Sequence, residues 1–140
     1  MDKIKLANDI LEKGEPLNWS KDHKGYAGYK PQAVIDAVND AEIEWDLEVI
    51  SISTRDSGKE NKNKHKIVDA LVHVRLTING HKKDAVASHP ILDDYGDAVK
   101  SAQSDAMKKA FAHFSVGKRA YQGLLNGKSK KVEEDEDEPF

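Results

Sequence analysis

A long alternation of apolar and polar residues, closed by an Asn-Gly pair, is the feature that most constrains how this chain can fold. Every second residue from Val68 to Ile78 is apolar, and Asn79-Gly80 follows directly. Such alternation predicts a strand with one buried face, and Asn-Gly between two strands predicts a two-residue hairpin turn. The segment therefore predicts an antiparallel hairpin at the centre of the fold.

The two-residue turn also predicts the register of this hairpin. It pairs residue 78 with residue 81, which places Val74 opposite Ala85 on the buried face. On the other face Arg75 lies opposite Asp84, an oppositely charged cross-strand pair that stabilises a sheet. Because one register accounts for both faces, we expect the second strand to cover residues 81–88.

An earlier segment predicts a third strand. Apolar residues occur at 45, 47 and 49 and then at 50 and 52, and this change of phase predicts a bulge or bend. The three predicted strands cover residues 46–54, 67–78 and 81–88. Residues 55–66 contain no apolar side chain, and this composition predicts a mobile basic loop.

Helical spacing of apolar residues occurs in three other places. Residues 4–11 predict a first helix that stops at Gly14, and Pro31 predicts the first turn of a second helix that ends near Glu44. Alanines at 98, 102, 106 and 110 follow one face of a long third helix, with Gly117 as its expected stop. A short final helix is expected before Gly127. The pattern predicts an α+β fold, in which a curved three-stranded antiparallel sheet (a β-β-β-α core) packs on the long helix, with further helices at the N-terminus.

Length and composition predict one domain over residues 1–127 and a disordered acidic tail over residues 128–140. The 140 residues contain no Cys, which excludes disulfides, thiol nucleophiles and zinc fingers. The six His are scattered without ligand spacing, so we expect neither a metal nor a cofactor. No apolar run is long enough for a membrane helix or a signal peptide, and we therefore expect a soluble cytosolic protein.

The formal net charge of −3 is the sum of two regions of opposite charge. Residues 133–138 are six consecutive acids, and the rest of the chain has 22 basic against 19 acidic residues. Between Lys100 and Lys131, eight bases accompany a single acid, Asp105. A basic segment followed by an acidic appendage indicates a polyanionic partner, although a solvated helix face and a solubilising tail would give the same composition.

Signals for enzymatic chemistry are weak. Gly123–Ser129 is one residue short of a phosphate-binding loop and has neither the preceding strand nor the following helix, so ATP binding is not expected. Asp93, Asp94 and Asp97 could hold Mg²⁺ in a nuclease, but acids at a helix start are more often caps. The nuclease stays an alternative at this point.

The basic face of the long helix is the stronger signal. Lys100, Ser104 and Lys108 line one stripe, and Asp105 is expected to pair with Lys109 at i+4. Asp105 alone cannot pair with all the lysines of this helix. We therefore expect Lys108 and Lys109 to be unpaired by any other acid and to lie opposite the face of the helix that packs on the core. No aromatic residue falls on the stripe, in contrast to proteins that stack bases on aromatic platforms. Such a row of cations could bind a sugar–phosphate backbone and leave the bases free to pair, as strand annealing requires.

The order of these elements resembles the Rad-fifty-two family of single-strand annealing proteins, particularly its short phage and mobile-element members. Ser104-Asp-Ala-Met-Lys-Lys-Ala110 is similar to the family's Thr/Ser-Asp-Gly/Ala-Leu-Lys-Arg-Ala helix. The resemblance covers roughly residues 28–125. It also includes the segments Val34–Asn39, Trp45–Ile50, Val68–Gly80 and Lys100–Phe114.

The resemblance implies a β-β-β-α core that assembles into homo-oligomeric rings or helical filaments and anneals single-stranded DNA without ATP or covalent chemistry. The family's groove cations fall on Lys108, Lys109 and Lys100. The chain departs from the family pattern at Ala33, Ala112 and Ser115. The candidate DNA-binding residues are Lys30, Lys100, Lys108, Lys109, Lys118 and Arg119.

Two other functions stay open beside annealing. A plain single-strand-binding protein would protect DNA and slow annealing, and a Mg²⁺-dependent nuclease would degrade it. The C-terminal residues add a possible partner, because acids followed by Pro-Phe are similar to the C-terminal tip of bacterial single-strand-binding proteins, a docking peptide for repair enzymes. This docking, to host proteins that recognise such tips, is assigned to Asp135, Glu136, Asp137, Glu138, Pro139 and Phe140. The alternatives for the tail are solubilisation and binding to the protein's own basic groove.

Overall fold

The computed structural model describes residues 2–21, 27–122 and 124–125. Within these residues the chain forms α-helices and β-strands in the order expected of an α+β fold. The elements are α1 (Lys3–Lys13), β1 (Trp19–Lys21), β2 (Ala27–Tyr29), α2 (Pro31–Asp40), β3 (Trp45–Glu60), β4 (Lys66–Ile78), β5 (His81–Pro90), α3 (Tyr95–His113) and α4 (Lys118–Tyr121).

The described chain divides into two compact units. Unit 1 contains the described residues up to Ile43 and from Ala112 onward, and unit 2 is Glu44–Phe111. The prediction of one domain over residues 1–127 stays a prediction. No helix in the described part of the chain is both long and apolar enough to cross a membrane.

Unit 2 contains the predicted three-stranded antiparallel sheet, in the order β3-β4-β5. The register of the hairpin is the predicted one: Val74 pairs with Ala85, and Arg75 pairs with Asp84. Asn79 and Gly80 have φ angles of 53° and 80°, the positive values that a type I′ turn requires at both central positions. The apolar face of β4 is buried from Ala70 to Ile78, at 0–4% exposure.

Strand β3 confirms the predicted bulge and corrects the predicted loop. The register shifts between Val49 and Ser51, so Ile50 is the extra residue. The strand then continues to Glu60, where it pairs with Lys66, and the prediction of a mobile loop over residues 55–66 is wrong. Residues in this part of the hairpin are exposed on both faces, so the hydrophobic pattern carries no strand signal there.

Helix α3 has the predicted small-residue face. Ala98, Ala102, Ala106 and Ala110 are at most 2% exposed. The helix joins the sheet of unit 2 at an edge-to-face aromatic contact, in which the ring centroids of Trp45 and Phe111 lie 5.4 Å apart. It ends at His113, before the stop predicted at Gly117.

Unit 1 contains α1, α2 and a small hairpin that sequence reasoning missed. Helix α1 ends at the predicted Gly14, and α2 begins at Pro31 as predicted but ends at Asp40, before Glu44. Strands β1 and β2 pair Trp19 with Tyr29. Each has three residues, which is too short for a period-two pattern to be recognised.

The two ends of the described chain meet within unit 1 through the Asn8 amide. Its Nδ2 donates to the Ser115 carbonyl at 2.8 Å, and its Oδ1 accepts from the Gly117 N–H at 2.9 Å. The amide therefore holds the turn that precedes α4, the short final helix expected from the sequence. The disordered tail predicted over residues 128–140 lies outside the described residues.

Candidate nucleic-acid interface

The predicted cation stripe lies along α3 in unit 2. Lys100 is exposed, Ser104 is half-buried, and Lys108 follows one turn later, because residues four apart share a helix face. The Lys108 side chain is only 17% exposed, and its Nζ lies 3.7 Å from the Asp105 carboxylate. Asp105 thus pairs at i+3 with Lys108, whereas the sequence predicted a pair at i+4 with Lys109 and an unpaired Lys108.

Lys109 occupies a different side of the helix from the one predicted. At about 100° per residue, it falls about 20° from Ala98 around the helix axis, on the side of the buried alanines. Its Nζ reaches the edge of the sheet and donates to the Val86 carbonyl oxygen at 3.3 Å. The expectation that Lys109 lies opposite the packing face is therefore wrong, although the residue stays exposed.

Two predicted cations of unit 1 are exposed and belong to the same neighbourhood. Lys30 follows Tyr29 at the N-terminus of α2, and Lys118 follows Gly117 at the start of α4. A Cβ built on Gly117 would lie 3.5 Å from the Tyr29 ring, which shows how closely these two segments approach. Lys30 and Lys118 are therefore exposed cations on neighbouring segments of unit 1.

Arg119 is placed in an internal ion pair. Its guanidinium donates to both carboxylate oxygens of Glu15 at 3.2 Å and to the Leu124 carbonyl at 3.3 Å. The Tyr29 hydroxyl donates to the same carboxylate at 2.7 Å. Burial of the ring, and then this contact with Glu15, raise the pKa of the Tyr29 hydroxyl above its ordinary value. The arrangement gives Arg119 a clear structural role, because it neutralises a carboxylate that is only 13% exposed.

A second ion cluster lies on the polar face of the sheet. The Asp84 carboxylate accepts from Arg75 Nε at 2.8 Å and lies 2.8 Å from His73 Nε2. The hydrogen bond from Arg75, then that from His73, lowers the pKa of Asp84 to about 2. This cluster contains the cross-strand pair that the register predicted, and it balances charge locally rather than presenting free cations.

The same sheet also carries a polar groove that was not predicted from the sequence. A cavity of about 420 Å³ is lined by residues from all three strands and from the segment after β5, namely Arg55, Ser57, Lys59, Ile67, Asp69, Ser88, Pro90 and Leu92. The Arg55 guanidinium is held by the Ser88 hydroxyl at 3.4 Å and by the Asp69 carboxylate at 3.7 Å. The only sequence signal for this groove was the occurrence of polar residues at 55, 57 and 59, which would share one face of a strand. It was not recognised because the segment was predicted to be a loop.

The aspartates considered for Mg²⁺ lie at the start of α3. The Asp94 carboxylate accepts a hydrogen bond from the Gly96 N–H at 2.8 Å, and Asp97 is in the first turn of the helix. Both positions favour helix formation through capping and the helix dipole. Within the described residues, no group of three or more His, Asp or Glu side chains is arranged to hold a metal ion.

The residues assigned to partner docking cannot be placed in this geometry. They lie in the C-terminal stretch beyond the described residues, and their assignment stays a prediction. They are Asp135, Glu136, Asp137, Glu138, Pro139 and Phe140.

Comparison with known proteins agrees with the order of elements. A family model described as Rad52/22 family double-strand break repair protein matches residues 15–139. The match includes all of unit 2 and every element from β1 to α4. A comparison with curated protein sequences finds no match.

Proposed function

Because the chain belongs to the Rad52/22 family of double-strand break repair proteins, we propose that it anneals complementary single strands of DNA. In this proposal the protein holds the sugar–phosphate backbone, leaves the bases free and uses no ATP. Its direct partner is single-stranded DNA, and it acts in recombination and repair in the cytoplasm of a bacterial or phage-infected cell.

The observation that carries this proposal is the cation stripe on α3, within the part of the chain that the family model matches. Lys100 and Lys108 lie about two turns apart, roughly 12 Å along the helix, so their amines can contact two phosphates of one strand. The pairing of Lys108 with Asp105 at 3.7 Å is long for an ion pair, and a phosphate can replace the carboxylate there.

The stripe favours contact with the backbone rather than with bases. Ser104 lies between the two lysines, and a hydroxyl is a common donor to phosphate oxygens. The stripe carries no aromatic side chain on which a base could stack. A strand bound in this way presents its bases to a complementary strand.

Assembly into a homo-oligomer, as a ring or filament, is the second part of the proposal. In the described part of the chain β3 is an edge strand of 16 residues, and its Val49, Ile50 and Ile52 side chains are 38–46% exposed. A long edge strand with exposed apolar side chains favours association with another chain. Light scattering should therefore give a mass that is a multiple of 15.6 kDa, and a monomer mass with and without DNA would contradict the assembly.

The acidic residues 133–138 and the following Pro139-Phe140 support a further partner in this proposal. Acids can steer such a peptide to a basic surface, while a pocket takes the aromatic ring. We assign this segment to docking on host proteins that recognise the C-terminal tips of single-strand-binding proteins. A peptide of residues 131–140 should bind such a protein, and removal of Phe140 should end the binding. Equal binding without Phe140 would contradict the assignment.

DNA binding by the stripe is tested with charge-removing variants. Lys100→Gln with Lys108→Gln should weaken binding of single-stranded DNA about tenfold at moderate salt. Each lost phosphate contact should also lower the salt slope of the affinity by about 0.7. Lys13→Gln with Lys82→Gln removes two exposed lysines elsewhere and is the matched control. Equal affinity and slope in the two double variants would remove α3 from the DNA site.

A further inference from the structure

The turn between β4 and β5 places a side-chain amide beside an unshielded backbone nitrogen. Asn79 is exposed, and its side chain makes no hydrogen bond to any other described residue. The N–H of Gly80, the next residue, also has no acceptor in the described chain, since the pair that closes the turn is Ile78 and His81. A Cβ added at Gly80 would meet no atom within 4 Å. Water therefore reaches both groups freely.

An asparagine amide in this position can react with the backbone nitrogen that follows it. The nitrogen of Gly80 loses its proton to hydroxide and attacks Cγ of Asn79, and the new C–N bond closes a succinimide ring. The side-chain nitrogen takes a proton from water and leaves as ammonia. Water then opens the ring at either carbonyl, which gives aspartate or isoaspartate. In isoaspartate the main chain runs through Cβ and is one atom longer.

Three other asparagine amides in the described chain are held by hydrogen bonds. Asn8 binds two backbone groups of the turn before α4, Asn18 donates to a backbone carbonyl at 3.2 Å, and Asn61 accepts from two backbone N–H groups. The residue after each of them carries a side chain beside the backbone nitrogen, whereas Asn79 precedes a glycine. Among these four, Asn79 alone combines an unbound amide with an open neighbour.

The β4–β5 turn accommodates aspartate but not isoaspartate. Asp-Gly suits a type I′ turn as Asn-Gly does, whereas an extra main-chain atom does not fit a turn whose length fixes the register of two strands. Ile78, directly before the turn, is 4% exposed and pairs with Trp45 on one side and His81 on the other. Trp45 also makes the contact with Phe111 that joins the sheet to α3. Damage to the turn therefore reaches the core of unit 2.

We propose that Asn79 is a site of spontaneous deamidation, and that its conversion to isoaspartate opens the β4–β5 hairpin and destabilises unit 2. The reaction consumes only water and is promoted by hydroxide. It needs no DNA, partner protein or second copy of the chain, so it is independent of annealing. The Asn-Gly pair that defines the register of the hairpin thereby also limits the lifetime of the folded protein.

The test ages the folded protein for several days in mildly alkaline buffer. Asn126 is also followed by glycine and lies outside the described residues, so every protein in the experiment carries Asn126→Gln. Peptide mapping by mass spectrometry measures amide loss at each asparagine, and labelling by an isoaspartyl methyltransferase measures isoaspartate. Urea unfolding of the same samples measures stability.

Two variants separate the chemical steps. Asn79→Gly removes the reacting amide and keeps the turn, because Gly-Gly also suits two positions of positive φ. Asn79→Asp, measured when fresh, adds the charge that deamidation creates and leaves the length of the main chain unchanged. Each variant is compared with the protein that retains Asn79.

Asn79 should lose most of its amide before Asn8, Asn18 or Asn61 loses a detectable share. The aged protein should then unfold in two steps, and the fraction that unfolds at lower urea concentration should equal the fraction of isoaspartate at position 79. Aged Asn79→Gly should keep the single transition and the midpoint of its fresh sample. Fresh Asn79→Asp should unfold close to the midpoint of the unaged protein.

Three results would overturn the proposal. Amide loss at Asn79 no faster than at the three bound asparagines would show that the folded turn protects it. Isoaspartate at position 79 with an unchanged unfolding midpoint would show that the hairpin does not depend on the length of the turn. An equal loss of stability in aged Asn79→Gly or in fresh Asn79→Asp would assign the loss to damage elsewhere or to charge.

Discussion

Lys109 Nζ donates a hydrogen bond to the carbonyl oxygen of Val86, 3.3 Å away, and so connects α3 to the outer edge of β5. The hairpin register places Val86 opposite His73 in a non-hydrogen-bonded pair. The N–H and C=O groups of Val86 therefore point away from β4, toward the open edge of β5. A lysine at such an edge blocks pairing with another strand. Lys108 and Lys109 therefore differ in role although they are adjacent in sequence.

Replacing Lys109 should expose this edge. In Lys109→Met the Val86 carbonyl loses its partner, and we expect sedimentation velocity to show a shift toward larger assemblies through the β5 edge. The free energy of unfolding should change by less than about 0.5 kcal/mol, because water can take the place of the ammonium. Lys109→Arg keeps a donor and is the control. An unchanged size distribution in Lys109→Met would show that Lys109 does not protect the edge.

The ion cluster on the polar face of the sheet should contribute stability that depends on pH. The folded pKa of Asp84 is about 2, below the unfolded value of about 3.9. The contribution of Asp84 is therefore fully present above about pH 4 and is lost as the pH falls through about 2. The difference in unfolding midpoint between wild type and Asp84→Asn should be present at pH 5 and should shrink as the pH falls toward 2. A difference that does not change with pH would contradict the cluster.

Arg119 and Lys118 are adjacent but should differ in their contribution to stability. Arg119→Ala leaves the Glu15 carboxylate without its main partner, and we expect it to destabilise unit 1 by about 1–3 kcal/mol. Lys118→Ala removes an exposed charge and should change stability by less than about 0.5 kcal/mol. Urea unfolding of the two variants measures both values. An equal effect on stability would remove the structural role assigned to Arg119.

Gly117 should be required for the turn before α4. Its φ angle is +74°, in the left-handed region, and an added Cβ would approach the Tyr29 ring to 3.5 Å. Gly117→Ala should therefore cost about 1–2 kcal/mol of unfolding free energy. Gly80→Ala is a useful comparison, because its φ is also positive at +80° but no atom lies within 4 Å of the added Cβ. Since 3.5 Å is an ordinary van der Waals distance, we expect similar costs at the two positions, and an unchanged unfolding free energy in Gly117→Ala would contradict the required left-handed turn.

The sheet could be predicted in detail because its signals are local and repeated. The alternation in β4 and the positive-φ Asn79-Gly80 turn together define the register of β5, and the phase change at Ile50 marks the bulge. The alanine face of α3 is an equally regular signal. Each is a property of consecutive residues that one buried face imposes.

The parts that could not be predicted depend on contacts between distant residues. The end of the β3–β4 hairpin, over residues 56–68, contains no buried side chain to give it a period, so backbone pairing and the Asp56–Lys66 contact reveal it only in the structure. Arg119 meets Glu15 across more than a hundred residues, and composition alone presents it as a free cation. Lys109 could have been placed by counting residues around the helix from Ala98, because the angle alone puts it near the packing face.

The most direct test of the account is the rate at which the protein anneals complementary oligonucleotides. The measurement follows fluorescence transfer between labelled strands without ATP and in the presence of EDTA. We expect wild type to accelerate annealing at least about tenfold over the protein-free reaction, and Lys100→Gln with Lys108→Gln to remove the acceleration. Wild type that binds both strands but slows their annealing would contradict the account and identify a protective single-strand-binding protein. Loss of intact DNA in Mg²⁺ but not in EDTA would identify a nuclease.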